Sequence, residues 1–222
     1  MREVYLFTAN LIQFGYNGPM KPKGRTEFLV GVDEAGRGPL AGPLALGVVV
    51  AHKSFAIAEM FPGVADSKVL SEKKREEIYS LVVKYAQQGL LRYTVIYVAA
   101  ATIDRIGLTR ATMRAVYGGV RKLAPEVEGY KVLLDGLLHA PAEYKQETII
   151  RGDATEPIIS LASIVAKVNR DRLMKRLAKK YPNYGFEIHK GYGTEFHRNQ
   201  IRKFGISELH RKSFCKGVIS MV

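Results

Sequence analysis

Three short apolar runs in this sequence each end in acidic side chains, and this repeated feature restricts the folds that the chain can adopt. The runs are FLVGVDE, KVLLDG and TIIRGD, and their acids are Asp33 with Glu34, Asp135, and Asp153. Short runs rich in Val, Ile and Leu and bounded by turn residues are typical of β-strands. Because the carboxyl ends of parallel strands gather at one edge of an open sheet, we expect the four carboxylates to meet there.

The rest of the chain alternates strand and helix patterns, which predicts an α/β fold with a mixed sheet. The runs LALGVVVA and RYTVIYVA complete an expected antiparallel meander with FLVGVD, and KVLLD and TIIRGD are expected to add parallel strands through helices. Ser71 is the predicted cap of the helix EKKREEIYSLVVKYA, and Asp104 is the candidate cap of another helix. A long helix is predicted from about Glu156 to Lys180, ending before Pro182.

A cluster of four carboxylates needs either a cation or raised pKa values. Two like charges about 4 Å apart repel by roughly 4 kcal/mol at an effective dielectric constant near 20. Oxygen ligands favour Mg²⁺ or Mn²⁺ over zinc, and the five histidines show no HExxH spacing. In a regular strand Asp33 and Glu34 would face opposite sides. We therefore expect the backbone to bend at Glu34, which Gly36 would make easy.

The net charge of +13 is concentrated near the C-terminus, where the segment from Lys167 to Val222 has 14 Lys and Arg against 4 Asp and Glu. This excess predicts a polyanionic partner, and a solvated basic surface is the alternative. Carboxylates with Mg²⁺ on a basic protein favour phosphodiester hydrolysis by two ions about 3.5–4 Å apart. The sequence contains no GxxxxGK[ST] phosphate loop and no apolar run long enough to span a bilayer. A single cysteine, Cys215, fits a reducing cytoplasm.

Six blocks of sequence, in order between about Leu29 and Phe214, resemble the ribonuclease HII family, the type 2 ribonucleases H. They are GVDEAGRGPLAGP, DSKVLSEKKRE, LLDG, RGDATEPIISLASIVAKVNRDRLM, HKGYGT and HRKSF. The resemblance implies an RNase H-like mixed β-sheet flanked by helices, with a helical C-terminal segment. It also implies an endonuclease that cuts the RNA strand of RNA/DNA hybrids and incises duplex DNA 5′ of single ribonucleotides. Such enzymes use Mg²⁺ or Mn²⁺ and leave 3′-hydroxyl and 5′-phosphate ends.

The same resemblance assigns roles to individual positions. It makes four acids the catalytic, metal-binding residues: Asp33, Glu34, Asp135 and Asp153. The GRG loop, which is Gly36, Arg37 and Gly38, matches the family's loop that senses the 2′-hydroxyl at an RNA–DNA junction.

Other positions are expected to contact the rest of the substrate. Tyr192 matches the tyrosine that packs on the sugar after the ribonucleotide, although a loop aromatic packed on the core is the alternative. The remaining candidates are basic side chains that are predicted to contact phosphates, and a surface or structural role is the alternative for each. They are Lys68, Lys167, Arg170, Arg211 and Lys212.

We expect three parts in the chain: an N-terminal extension over 1–28, an RNase H-like catalytic domain over 29–185, and a basic C-terminal substrate-binding segment over 186–222. Either the first part is a loose extension or translation begins at Met20. The expected partners are RNA/DNA hybrids and ribonucleotide-containing duplex DNA. The protein is expected to be a cytoplasmic monomer that takes part in ribonucleotide excision repair and does not bind a membrane. The alternatives are a ribonuclease HIII-like hybrid nuclease and a non-catalytic, basic nucleic-acid-binding module.

Overall fold

A five-stranded sheet forms the centre of the computed structural model, which describes residues 27–64 and 70–219. The strands are β1 (Phe28–Ala35), β2 (Leu44–His52), β3 (Leu91–Val98), β4 (Tyr130–Asp135) and β5 (Lys145–Ile149). Their order across the sheet is β3-β2-β1-β4-β5. The first three strands pair in antiparallel fashion, whereas β1, β4 and β5 are parallel. The predicted mixed sheet, with its meander and its added parallel strands, is confirmed.

Helices cover both faces of this sheet. They are α1 (Ile57–Met60), α2 (Glu72–Gln87), α3 (Ala100–Ile106), α4 (Leu108–Leu123), α5 (Gly152–Thr155), α6 (Pro157–Lys180), α7 (Phe186–His189), α8 (Glu195–Phe204) and α9 (Lys212–Ile219). The hydroxyl of Ser71 accepts a hydrogen bond from the Lys74 N–H at 3.2 Å, so the predicted cap of α2 is confirmed. The long helix α6 ends before Pro182, as predicted. Within the described ranges, no helix is both long enough and apolar enough to cross a membrane.

The segment around β5 differs from the prediction in two ways. The β4–β5 connection over 136–144 contains no helix; the side chain of Gln146 closes it by bonding the backbone N–H and C=O of Ala140. The strand ends at Ile149, and Arg151 then adopts a left-handed conformation with φ of 59°. As a result Asp153 lies in the short helix α5 rather than at the end of a strand.

Asp104 does not cap its own helix. It lies inside α3, and the helix that follows, α4, begins after Gly107. The Asp104 carboxylate instead accepts hydrogen bonds from the backbone N–H groups of Lys212, at 2.8 Å, and Ser213, at 3.0 Å. This acid therefore caps the start of α9 and attaches the C-terminal segment to the sheet and its helices.

Helix α6 lies unusually close to the sheet because two strand positions are glycines. A Cβ atom added at Gly31 would lie 2.2 Å from the carbonyl oxygen of Ile158, and one at Gly47 would lie 2.2 Å from that of Ala162. Any side chain at these positions would push the helix outward. The close contact buries Ile159 completely and brings the next turn of α6, with Ser163, beside the end of β1.

Candidate active site

The four predicted acids line one cavity of about 370 Å³ at the carboxyl ends of β1 and β4. Asp33 and Glu34 come from β1, Asp135 ends β4, and Asp153 reaches the cavity from α5. The backbone N–H of Asp153 donates to Asp135 Oδ1 at 3.2 Å, which ties the last two acids together. The acids therefore share one site, and their catalytic role stays a prediction.

The strand β1 carries both of its acids into the cavity without bending at Glu34. Its pairing with β2 continues through Glu34 and Ala35, and the chain turns only at Gly36, where φ is +91°. The parallel pairing with β4 stops at Val32, so space opens beyond that residue on this side of the strand. The expected bend at Glu34 is wrong, because the opening surrounds the end of the strand and both side chains reach it.

Burial and mutual repulsion alter the acidity of this cluster. Burial raises the pKa of Asp33 well above its usual value, and the charges of Glu34 and Asp135 raise it further, although a hydrogen bond from Ser163 lowers it. Burial also raises the pKa of Glu34, against the opposing effect of Arg37. The guanidinium Nη1 of Arg37 lies 3.3 Å from Glu34 Oε1. Asp33 and Glu34 are thus easier to protonate than separate, solvated carboxylates would be.

The donor set fits a hard divalent cation. The Oε2 atom of Glu34 is buried and has no hydrogen-bond partner among the described residues, and every acid in the cavity offers oxygen. A cation there would stabilise the ionised form of these carboxylates and occupy the unpartnered oxygen. In the ranges 27–64 and 70–219, no three His, Cys, Asp or Glu side chains are already arranged as a metal site. The acids therefore share a cavity without forming a closed ion cage.

The predicted substrate-contacting loop borders the same cavity. Gly36, Arg37 and Gly38 line it on one side, and Tyr192 and Lys167 line it as well. The Tyr192 side chain is 43% exposed, so it is available to a ligand rather than packed in the core. Lys167 forms an ion pair with Asp171, with Nζ 2.9 Å from Oδ1. These residues are where the prediction requires them, but their contacts with a substrate stay predictions.

The other basic candidates behave differently. Arg170 and Arg211 are fully buried, and both donate hydrogen bonds to backbone carbonyls of the loop between β1 and β2. Neither guanidinium reaches solvent, so the predicted phosphate contacts of these two residues are wrong for this structure. Lys212 is exposed at the start of α9, and Lys68 lies outside the described residues.

Sequence reasoning missed two polar side chains that line the cavity, Ser163 and Arg75. A hydrogen bond from Ser163 to Asp33 lowers the pKa of that acid, against the larger effect of burial. The signal of Ser163 was present in the stretch IISLASIVA, where small residues indicate close packing on a sheet, but small size alone does not separate a packing serine from a donor. Arg75 lies among other charged residues of α2 and has no distinguishing pattern in the sequence.

Comparison with known proteins gives consistent results at the level of sequence and of fold. The model of the family described as ribonuclease HII matches residues 30–217. Ribonuclease HII of Coxiella burnetii is 43% identical over 187 residues, which are 84% of this chain and 88% of that protein. The crystal structure of ribonuclease H2 from Pyrococcus horikoshii OT3 is similar with a TM-score of 0.69 and 27% identity, covering 87% of this chain and 98% of that one.

A more distant likeness concerns the structure of Bst-RNase HIII in complex with Mn²⁺. It has a TM-score of 0.65 at 16% identity, and the match covers 90% of this chain and 71% of that one. At this identity the similarity shows the fold alone.

Proposed function

Because this chain belongs to the ribonuclease HII family, we propose that it incises duplex DNA 5′ of single embedded ribonucleotides by metal-assisted phosphodiester hydrolysis. The family makes the chain a ribonuclease H, an endonuclease that acts on RNA/DNA hybrids. The observation that carries the finer proposal is the shared cavity of Asp33, Glu34, Asp135 and Asp153, bordered by the GRG loop. In this proposal the acid cluster carries out the hydrolysis, and the loop beside it distinguishes ribose from deoxyribose.

The four carboxylates would hold Mg²⁺ or Mn²⁺, with Glu34 offering its unpartnered Oε2 atom. When bound, the metal lowers the pKa of the attacking water and stabilises the charge on the leaving oxygen. The hydrogen bond from Ser163 lowers the pKa of Asp33 and so partly opposes the effect of burial, which disfavours the ionised form. Arg37 lies half exposed beside Glu34, so its guanidinium is suited to hold the phosphate next to the acids.

The two positions of the GRG loop that carry glycine do so for different reasons. Gly36 is required by the protein itself, because its φ is +91° and an added Cβ would lie 2.1 Å from Arg170 Nε. At Gly38 an added Cβ would meet nothing within 4 Å. Since the fold leaves that space open, we infer that the substrate occupies it, with a ribose approaching the backbone closely enough to present its 2′-hydroxyl.

Other residues extend the substrate site. Tyr192 is exposed enough to pack its ring on the sugar after the ribonucleotide, and Lys167 faces the cavity as a phosphate contact. The basic segment over 186–222 would hold the duplex backbone, in line with its surplus of Lys and Arg. We place the enzyme, as a monomer, in the cytoplasmic repair of ribonucleotides in DNA.

The two alternatives explain less. A ribonuclease HIII-like enzyme is supported by a common fold at 16–18% identity, whereas the ribonuclease HII family model matches residues 30–217. A non-catalytic binding module would leave the clustering of four acids, with raised pKa values for Asp33 and Glu34, without a use.

A gel assay on a DNA duplex with one ribonucleotide tests the proposal directly. The expected result is a single cut on the 5′ side of the ribonucleotide, only with Mg²⁺ or Mn²⁺, leaving a 3′-hydroxyl that a polymerase extends. The same duplex without the ribonucleotide should stay intact. Equal cutting of both duplexes, or cutting in the presence of a chelator, would overturn the proposal.

A further inference from the structure

The side chain of Arg211 connects the C-terminal segment to the GRG loop. Its Nη2 donates to the carbonyl oxygen of Gly36 at 2.6 Å and its Nη1 donates to that of Arg37, also at 2.6 Å. Its Nε and Nη2 also donate to the carbonyl oxygen of Gly42, at 3.1 and 3.0 Å. One guanidinium therefore binds three carbonyls of the loop between β1 and β2.

This arrangement is costly, which argues that it has a use. Arg211 is completely buried, and no Asp or Glu among the described residues forms an ion pair with it. A second buried arginine lies beneath the same loop: Arg170 donates to the carbonyls of Ala41, at 3.3 Å, and Pro43, at 2.9 Å. Placing two cations in the interior without a directly bonded carboxylate is unfavourable. The charges of Asp104 near Arg211 and of Asp171 near Arg170, together with the carbonyl acceptors, offset the loss of water only in part.

The hydrogen bonds of Arg211 fix the direction of two peptide units. In a planar trans peptide, the C=O of one residue and the N–H of the next point in opposite directions, and the loop contains no cis bond. Because the carbonyls of Gly36 and Arg37 point inward to Arg211, the N–H groups of Arg37 and Gly38 point outward. Arg37 and Gly38 line the cavity, and within the described residues neither N–H donates to another protein group.

We propose that Arg211 is a positioning residue for sugar selection: it holds the GRG loop so that the N–H groups of Arg37 and Gly38 meet the ribose hydroxyl. The inference rests on the proposed function of this site. Glycine makes the loop able to approach a sugar closely, but it also frees the peptide units to rotate. The planar guanidinium of Arg211, with its several N–H donors, prevents the peptide units from rotating. The single ammonium group of a lysine cannot reproduce this geometry. Arg211 thus acts through the loop and does not touch the substrate.

The test compares Arg211→Lys, which keeps the charge, with the matched control Arg176→Lys on the exposed part of α6. With Mg²⁺ present, kcat and KM are measured on the duplex with one ribonucleotide, and the all-DNA duplex is measured as a competitive inhibitor. For Arg211→Lys we expect kcat/KM to fall about tenfold or more while the inhibition constant of the all-DNA duplex stays within about twofold. The control variant should match the wild type in both measurements.

Several outcomes would overturn the inference alone. They are an unchanged kcat/KM in the folded Arg211→Lys variant, and an equal loss of affinity for the all-DNA duplex, which would indicate a general effect on the fold or on phosphate binding. A wild-type enzyme that does not cut the ribonucleotide duplex at all would instead reject the proposed function.

If Arg211→Lys does not fold, an NMR experiment on the wild-type protein tests the inference instead. In its ¹⁵N NMR spectrum the amide signals of Arg37 and Gly38 should shift with the ribonucleotide duplex and not with the all-DNA duplex. Shifts that are the same with both duplexes, or absent with both, would contradict the orientation that Arg211 is proposed to impose.

Discussion

His197 and His210 face each other in the interior through their Nε2 atoms, which are 3.1 Å apart. The Nδ1 atom of His197 lies 2.8 Å from the carbonyl oxygen of Tyr192, so it must carry a proton and donate. The Nδ1 atom of His210 accepts from the N–H of Ser207 at 2.9 Å, so its proton lies on Nε2. His197 then accepts at Nε2 from His210. Every polar atom of the pair is satisfied only while both rings are neutral.

This pair should make the protein less stable in weak acid. Burial lowers the pKa of His197 and of His210 to about 4, from an ordinary value of 6.5. The unfolded chain therefore binds more protons between those values, and stability is lost as the pH falls from about 6.5 towards 4. At pH 5 one such histidine would lower the free energy of unfolding by about 2 kcal/mol relative to pH 7.5.

The measurement is urea unfolding at pH 7.5 and 5, for the wild type and for His197→Phe. The acids of the cavity respond in the opposite sense, because the raised pKa values of Asp33 and Glu34 favour the folded state at lower pH. For this reason the comparison with the variant is decisive: His197→Phe should lose less stability on acidification than the wild type. The exposed His139→Gln serves as the control and should behave like the wild type. Equal acid sensitivity in all three proteins would contradict the prediction.

Replacing Asp135 with Asn should remove cleavage and spare binding. The amide oxygen can still accept from the Asp153 N–H, which Asp135 Oδ1 does at 3.2 Å, so the local fold is retained. Because the charge stabilisation that a metal supplies is worth several kcal/mol, we expect kcat to fall by about a hundredfold or more with Mg²⁺. Duplex affinity, measured by fluorescence anisotropy, should stay within about threefold of the wild type.

The control for Asp135→Asn is Glu143→Gln, which breaks the exposed ion pair with Arg121. It should leave both rate and affinity unchanged. Substantial turnover by Asp135→Asn would show that this acid does not hold the metal.

Asp33→Asn should raise stability without metal and remove the response to Mg²⁺. Burial and the neighbouring charges of Glu34 and Asp135 disfavour the ionised form of Asp33 in the folded state. Without this charge we expect the free energy of unfolding in EDTA at pH 7.5 to rise. In the wild type, Mg²⁺ should raise the midpoint of thermal unfolding through binding to the folded state. A variant that is both less stable in EDTA and equally stabilised by Mg²⁺ would contradict this account.

The sequence predicted the sheet and the meeting of the acids because both follow from local pattern. An apolar run that ends in an acid is readable as a strand end, and parallel order then places Asp33 and Asp135 at the same edge. Asp153 was predicted at the same edge for a different reason from the real one, since a left-handed turn at Arg151, not a strand, delivers it.

The buried arginines could not be located in this way. Arg170 and Arg211 belong to a basic stretch of sequence, and composition alone suggests exposed phosphate contacts. Their burial depends on carbonyls of the β1–β2 loop, which lies more than a hundred residues earlier in the chain. The same holds for Asp104, whose partners at the start of α9 are brought to it only by the packed fold.

Gly38→Ala should lower the activity on the ribonucleotide duplex without lowering the stability of the fold. An added Cβ there meets nothing within 4 Å, and its φ is not in the left-handed region, so the free energy of unfolding should change by less than about 0.5 kcal/mol. If a ribose approaches this backbone, the methyl group should lower kcat/KM on the ribonucleotide duplex by about tenfold or more.

The matched control is Gly118→Ala on the exposed side of α4, where a Cβ also has open space. That change should stabilise the helix by about 0.5–1 kcal/mol and leave the activity unchanged. Full activity in Gly38→Ala would mean that the open space at the GRG loop is not where the sugar lies.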